Sequence, residues 1–128
     1  MAISGKWLAL GGGALLAIGA ACTTAAAQDA AQGQQLFKTQ CALCHSVEPG
    51  KNTLGPSLAK IVGRRAGTLP NYAFSPAMKG SKLTWDRATL DTYLTNPRQT
   101  VPGTKMTYVG QRDAAKRAAL VAYLASLR

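Results

Sequence analysis

One histidine, three cysteines and five acidic residues in 128 positions are scarcities that each weigh against a class of function. A structural zinc site needs four ligands, commonly supplied as two paired motifs. Beyond Cys41, Cys44 and His45 the chain holds only Cys22 and no second histidine, so zinc is poorly supported. A redox-active C-x-x-C of the thioredoxin kind accompanies a strand-helix-strand pattern, and the flanks of Cys41 carry helix and turn signals with no alternating strand. The few acidic residues face 15 Lys and Arg, for a formal net charge of +10. That balance points to an acidic partner surface, anionic lipid or nucleic acid.

What the chain does contain is Cys41-Ala42-Leu43-Cys44-His45. The spacing C-x-x-C-H is the attachment signal for a c-type haem, in which two sulfurs bond to the porphyrin edge and the histidine binds its iron. On one helical turn the three side chains stand at i, i+3 and i+4 and leave the same face. One short segment can therefore hold a flat macrocycle by its edge and by its iron.

Residues 1–27 read as a signal peptide. Lys6 supplies a positive n-region, Trp7 to Ala21 an apolar h-region broken by Gly11-Gly12-Gly13, and Ala25-Ala26-Ala27 an A-x-A cleavage site before Gln28. Export to a bacterial periplasm and removal of the segment follow. The h-region falls short of the roughly 20 residues that cross a bilayer, although extension through Ala27 leaves an uncleaved anchor open. Gly19-Ala20-Ala21 lacks the leucine that usually begins a lipobox, so Cys22 is expected to leave with the leader. The remainder, 28–128, is one small domain that keeps 14 of the 15 Lys and Arg and all 5 acidic residues. Export argues against nucleic acid as its partner, and an interior haem would enlarge an otherwise modest core.

Three helices are expected. The first spans Ala30 to Cys41 with Asp29 near its start, where a negative charge suits the helix dipole. The last spans Asp113 to Leu127, with Leu120, Val121, Tyr123, Leu124 and Leu127 forming one face. Gly33 would let these two cross closely. The third spans Trp85 to Asn96, capped by Thr84 and stopped by Pro97. Val47 to Lys82 is rich in Gly and Pro and reads as loop, with short helical turns at Leu58 to Val62 and Ser75 to Lys79. So much loop in a small domain makes sense if it wraps a cofactor.

Beyond the leader only Met78 and Met106 remain as methionines. Met106 lies in the turn-rich loop after the third helix and is the candidate second axial ligand, a soft neutral thioether that favours reduced iron and suits electron transfer. Met78 reads as a gap-filling core residue.

With these residues in order, the chain resembles the class I cytochromes c of the mitochondrial and bacterial c2 type. The resemblance covers essentially all of 28–128. It runs through Gly33 and Phe37, Cys41 to His45, Leu54 to Leu58, Val62 to Gly67, Leu83 to Trp85, Tyr93 to Pro97, Pro102 to Met106 and Leu120 to Leu124. It implies an all-α cytochrome c fold, with crossing N- and C-terminal helices and with a third helix and long loops wrapped around one covalent haem c. It implies that Pro56 presents a backbone carbonyl to His45, that Arg64 and Trp85 serve a buried haem propionate with Thr104 close by, and that the Tyr93 hydroxyl reaches the Met106 sulfur. Three departures stand out. Phe74 occupies a position that often holds a propionate-bonded tyrosine, whose contact is then missing or made by Tyr72. Met78 falls where a polar residue commonly joins an internal water network, and Tyr108 replaces a frequent phenylalanine at the exposed haem edge.

Iron ligated by His45 and Met106 has no open position, so the expected function is one-electron transfer through the haem edge and not enzymatic turnover. The expected partners are acidic docking faces of redox proteins: a quinol-oxidising cytochrome complex, a terminal oxidase, a photosynthetic reaction centre or a dehydrogenase. Lys38, Lys51, Lys79 and Lys105 are the candidate steering charges. A monomer is expected, with membrane contact at most peripheral or through an uncleaved N-terminus. Two other readings stay open, a haem peroxidase or gas-binding protein with Met106 off the iron, and a subunit fixed within a larger redox complex.

Overall fold

The computed structural model describes residues 2, 5 and 21–128. Lys6 and the expected apolar run from Trp7 to position 20 lie outside the described residues. Among the described residues five helices follow one another: α1 Ala21–Gln40, α2 Pro76–Gly80, α3 Arg87–Thr95, α4 Pro97–Thr100 and α5 Ala114–Ser126. Among the described residues no helix is long and apolar enough to cross a membrane.

The first helix starts nine residues before the expected Ala30. Ala21 to Ala27 contains no breaker and is mostly alanine, the strongest helix former, so the helix runs on through the A-x-A tripeptide and Asp29 falls in its interior. Helix α5 keeps its expected N-terminus, where the Asp113 carboxylate accepts from the Ala115 and Lys116 N–H groups at 3.0 Å. It buries Ala119, Leu120, Val121, Tyr123 and Leu124. The two helices cross at Gly33, where a Cβ would fall on the Ala119 carbonyl oxygen and 2.8 Å from Tyr123 Cβ. Phe37 and Tyr123 then meet with ring centroids 5.4 Å apart.

Helix α3 is shorter than expected, and its cap is Asp86, whose carboxylate accepts from the Thr89 N–H at 2.7 Å. Thr84 is instead paired across an isolated antiparallel bridge with Arg65. The Trp85 N–H donates to the Arg64 carbonyl at 2.9 Å and its carbonyl accepts from the Gly63 N–H at 2.8 Å. Bonded on both sides, Trp85 is held extended and cannot enter the helix. Pro97 ends α3 and also begins α4, a place that suits a residue with no N–H to donate. The stretch Leu58 to Val62 makes turns without a helix, with Lys60 at φ 51°, while α2 forms one residue beyond its expected start and is capped by Ser75.

Ion pairing knits α3 to α5: Arg117 Nε donates to Asp91 Oδ1 at 2.7 Å and Arg117 Nη1 donates to the Gln111 carbonyl at 3.0 Å. Phe37, Ile61, Met78, Trp85, Leu90, Tyr93, Leu94 and Leu120 belong to one continuous core, whose members meet around an interior cavity rather than filling it.

Candidate cofactor site

The cavity has a volume of about 540 Å³ and a largely apolar lining that runs from Gln40 to Leu124. The space is partly open at the exposed Leu43 and Leu54, and an apolar lining of this extent holds water poorly and gains by being covered. The chain is thus built around a bound group.

Helix α1 delivers the first donors. Its ladder continues past Gln40: the Cys41 N–H donates to the Phe37 carbonyl at 2.8 Å, and the Cys44 and His45 N–H groups donate to the Cys41 carbonyl at 3.0 and 2.9 Å. One turn therefore carries Cys41, Cys44 and His45, and all three line the cavity. Neither cysteine is in a disulfide. Burial, with Cys44 alongside, pushes the Cys41 thiol up to about 11.

The loop after His45 folds back on this turn. The Gly55 N–H donates to the Cys44 carbonyl at 2.7 Å, the Leu58 N–H to the Ser46 carbonyl at 2.8 Å, and the buried Ser57 hydroxyl to the Glu48 carbonyl at 2.6 Å. These bonds place the Pro56 carbonyl 2.7 Å from His45 Nδ1. Nδ1 then carries the proton and Nε2 is the nitrogen available to a metal. Burial lowers the His45 pKa, with the Pro56 bond opposing it, so the ring is kept neutral as ligation requires. Gly55 lies flat against the imidazole: a Cβ there would stand 2.5 Å from His45 Cε1.

Met106 reaches the same cavity from the loop between α4 and α5. The Tyr93 hydroxyl lies 3.1 Å from Thr104 Oγ1 and 3.4 Å from Met106 Sδ, and the Met106 N–H donates to Thr104 Oγ1 at 3.3 Å. Sulfur can only accept here. The consistent assignment has Thr104 donating to Tyr93 and Tyr93 donating to the thioether, closing a ring that fixes Met106. Burial raises the Tyr93 pKa, with the Thr104 bond opposing it, so the phenol remains a donor. Trp85 packs on Tyr93 at 5.0 Å between centroids, tilted by 61°.

The remaining predicted residues have definite places. Arg64 lines the cavity while its guanidinium donates to the Ser57 carbonyl at 2.9 Å and to the Ala59 carbonyl; burial lowers its pKa. Met78 is buried in the core and in the lining. Tyr72 is bonded to the Leu54 carbonyl at 2.9 Å. Lys51 is paired with Glu48 at 3.0 Å, and Lys105 donates to the Ala73 carbonyl at 2.5 Å while its ammonium sits 5.6 Å from the Tyr72 ring centroid. Lys38 and Lys79 are exposed.

The sequence placed Gln40 with Gly33, Leu36 and Phe37 at helical spacing on the first helix, but gave no role at the cavity to Gln40, whose side chain accepts from Tyr108, or to Gly55, Leu43 and Leu54. Leu43 and Leu54 are 87% and 74% exposed yet line it. The pairing Gly55-Pro56 was the available signal for a backbone pressed against a ring; nothing local marked Gln40.

Helices crossing at a glycine, a C-x-x-C-H turn and an apolar cavity holding two thiols, an imidazole and a thioether define a small all-α haem protein. The family model described as Cytochrome c matches residues 30–128. The cytochrome c2 of Rhodomicrobium vannielii is 50% identical over 102 residues, covering 79% of this chain and 81% of that one. The cytochrome c2 of Blastochloris viridis is 44% identical over 111 residues, covering 86% and 87%. Among solved structures, cytochrome cH from Methylobacterium extorquens superposes with a TM-score of 0.71 at 46% identity, covering 75% of this chain and 96% of that one. The chain belongs to the cytochrome c family: it is a haem c electron carrier, not an enzyme.

Proposed function

We propose that the mature protein, 28–128, is a soluble or peripherally bound one-electron carrier of the bacterial periplasm, with its iron ligated by His45 and Met106. When bound, haem c supplies a one-electron couple. Cys41 and Cys44 would hold it covalently. His45, steered by Pro56 and backed by Gly55, offers Nε2, and Met106, steered by Tyr93 and Thr104, offers its sulfur. The observation that carries this reading is that one cavity receives an imidazole with Nδ1 already committed and a thioether already hydrogen-bonded. Ligands fixed in this way rearrange little between oxidation states, which is what outer-sphere exchange needs. Trp85 and Arg64 line the same space and would serve a haem propionate.

Exposed Lys38 and Lys79, with tethered Lys105, contribute to a positive field that steers the carrier onto acidic faces of a quinol-oxidising complex, a terminal oxidase, a reaction centre or a dehydrogenase. The test combines two measurements on protein purified from the periplasm. Intact mass should equal that of residues 28–128 plus one haem, and the rate of electron exchange with an acidic redox protein should fall steeply as salt rises. A mass retaining residues 1–27, or a salt-independent rate, would overturn export processing or charge steering respectively.

A further inference from the structure

We propose that Tyr108 and Gln40 form a latch across the cavity, and that Tyr108 is a positioning residue for Met106. This rests on the ligation proposed above. Among the described residues, no backbone group of residues 105–110 takes part in a backbone–backbone hydrogen bond, so the segment carrying Met106 is held by side chains and by its ends. Its C-terminal end is anchored at α3, where the Gln111 N–H donates to the Leu94 carbonyl at 2.8 Å. Beside the local Met106 N–H to Thr104 Oγ1 bond, its middle has three side-chain attachments to other parts of the chain: Tyr93 to Met106, Lys105 to the Ala73 carbonyl, and Tyr108.

The third attachment spans the fold. The Tyr108 hydroxyl donates to Gln40 Oε1 at 2.7 Å, and Gln111 Nε2 donates to the same oxygen at 3.4 Å. Gln40 ends α1 and adjoins Cys41, while Tyr108 stands two residues past Met106, and both line the cavity. The bond therefore couples the segment bearing the attachment cysteines to the segment bearing the thioether, across 68 positions of sequence. It is partly buried, where a hydrogen bond gains from reduced competition by water.

Removing it should raise the population of the displaced segment about fivefold, the equivalent of one ordinary hydrogen bond. The test uses purified oxidised holoprotein and two readouts. Imidazole titration, followed by loss of the red-region methionine-to-iron band, should show about fivefold tighter imidazole binding in Tyr108→Phe and in Gln40→Leu. Gln40→Glu, which keeps an acceptor, should keep wild-type affinity, and the double variant Y108F/Q40L should match Gln40→Leu alone, which already removes the Tyr108 bond together with the longer one from Gln111. Tryptic cleavage after Lys105, which needs no iron ligation, should accelerate in parallel. Tyr123→Phe, a hydroxyl removed outside this segment, should change neither.

A wild-type protein without the red-region band, but with faster cleavage in Tyr108→Phe, would refute the Met106 ligation and leave the latch standing. With the band present, unchanged cleavage and imidazole affinity in Tyr108→Phe would refute the latch alone. Faster cleavage with unchanged imidazole affinity would refute the positioning of Met106.

Discussion

Gly33→Ala separates the two sides of the helix crossing. In an isolated helix the change is favourable by about 1 kcal/mol, because alanine is the better helix former. At this site the added Cβ would lie on the Ala119 carbonyl oxygen, with Tyr123 Cβ 2.8 Å away. The principal obstacle is backbone, so no rotamer relieves it and α1 and α5 must separate. Overpacking of this kind costs about 1 to 3 kcal/mol, and the rigid neighbour places it at the upper end. The net destabilisation is then about 2 kcal/mol, which in a domain of this size lowers the thermal midpoint by about 8 to 16 °C. Heat unfolding of the holoprotein, followed by far-UV circular dichroism, reads this directly. Gln34→Ala, on the exposed side of the same helix, should stay within about 0.5 kcal/mol of wild type. A Gly33→Ala protein as stable as wild type, or more so, would show that the helices do not touch there.

Three further outcomes follow from the same geometry. Arg117→Met should destabilise by about 2 kcal/mol and Asp91→Asn by about 1 kcal/mol in denaturant unfolding, because Arg117 also serves the Gln111 carbonyl and leaves more unsatisfied; equal costs would refute that double role. Tyr93→Phe should lower the midpoint potential by about 20 to 40 mV, since the lost hydrogen bond of about 0.5 to 1 kcal/mol draws electron density from the Met106 sulfur and favours reduced iron; an unchanged or raised potential in voltammetry would count against it. The Asp86 and Asp113 carboxylates are held below their ordinary 3.8 by backbone N–H groups at the starts of α3 and α5. Lowered folded values mean stability that is present above 3.8 and lost as pH falls through the folded values. The double variant Asp86→Asn, Asp113→Asn should therefore lose stability less steeply in acid than wild type, and a parallel loss would refute the assignment.

Local chemistry made much of the fold readable. The C-x-x-C-H turn, the apolar face of α5 and the glycine of the crossing are each set within a few residues, and each appears where the pattern places it. Boundaries were less legible where two local signals competed. Ala21 to Ala27 carries leader signals and is also a strong helix former, so the start of α1 did not follow from the expected end of the leader. Thr84 and Asp86 are both plausible caps, and the choice was decided by the Arg65–Thr84 bridge, a partner 19 residues away. Long-range side-chain bonds were the least legible. Arg64 spends two donors on the Ser57 and Ala59 carbonyls, and Gln40 meets Tyr108 across most of the chain; no periodicity or spacing encodes either.

The optical spectrum of the oxidised, purified holoprotein in the red region, taken beside that of Met106→Leu, tests the proposed iron site most directly. The expected result is a methionine-to-iron band in the native protein that vanishes in the variant, together with a fall in midpoint potential. A native protein lacking that band, or a variant whose spectrum and potential are unaltered, would contradict ligation by the Met106 thioether.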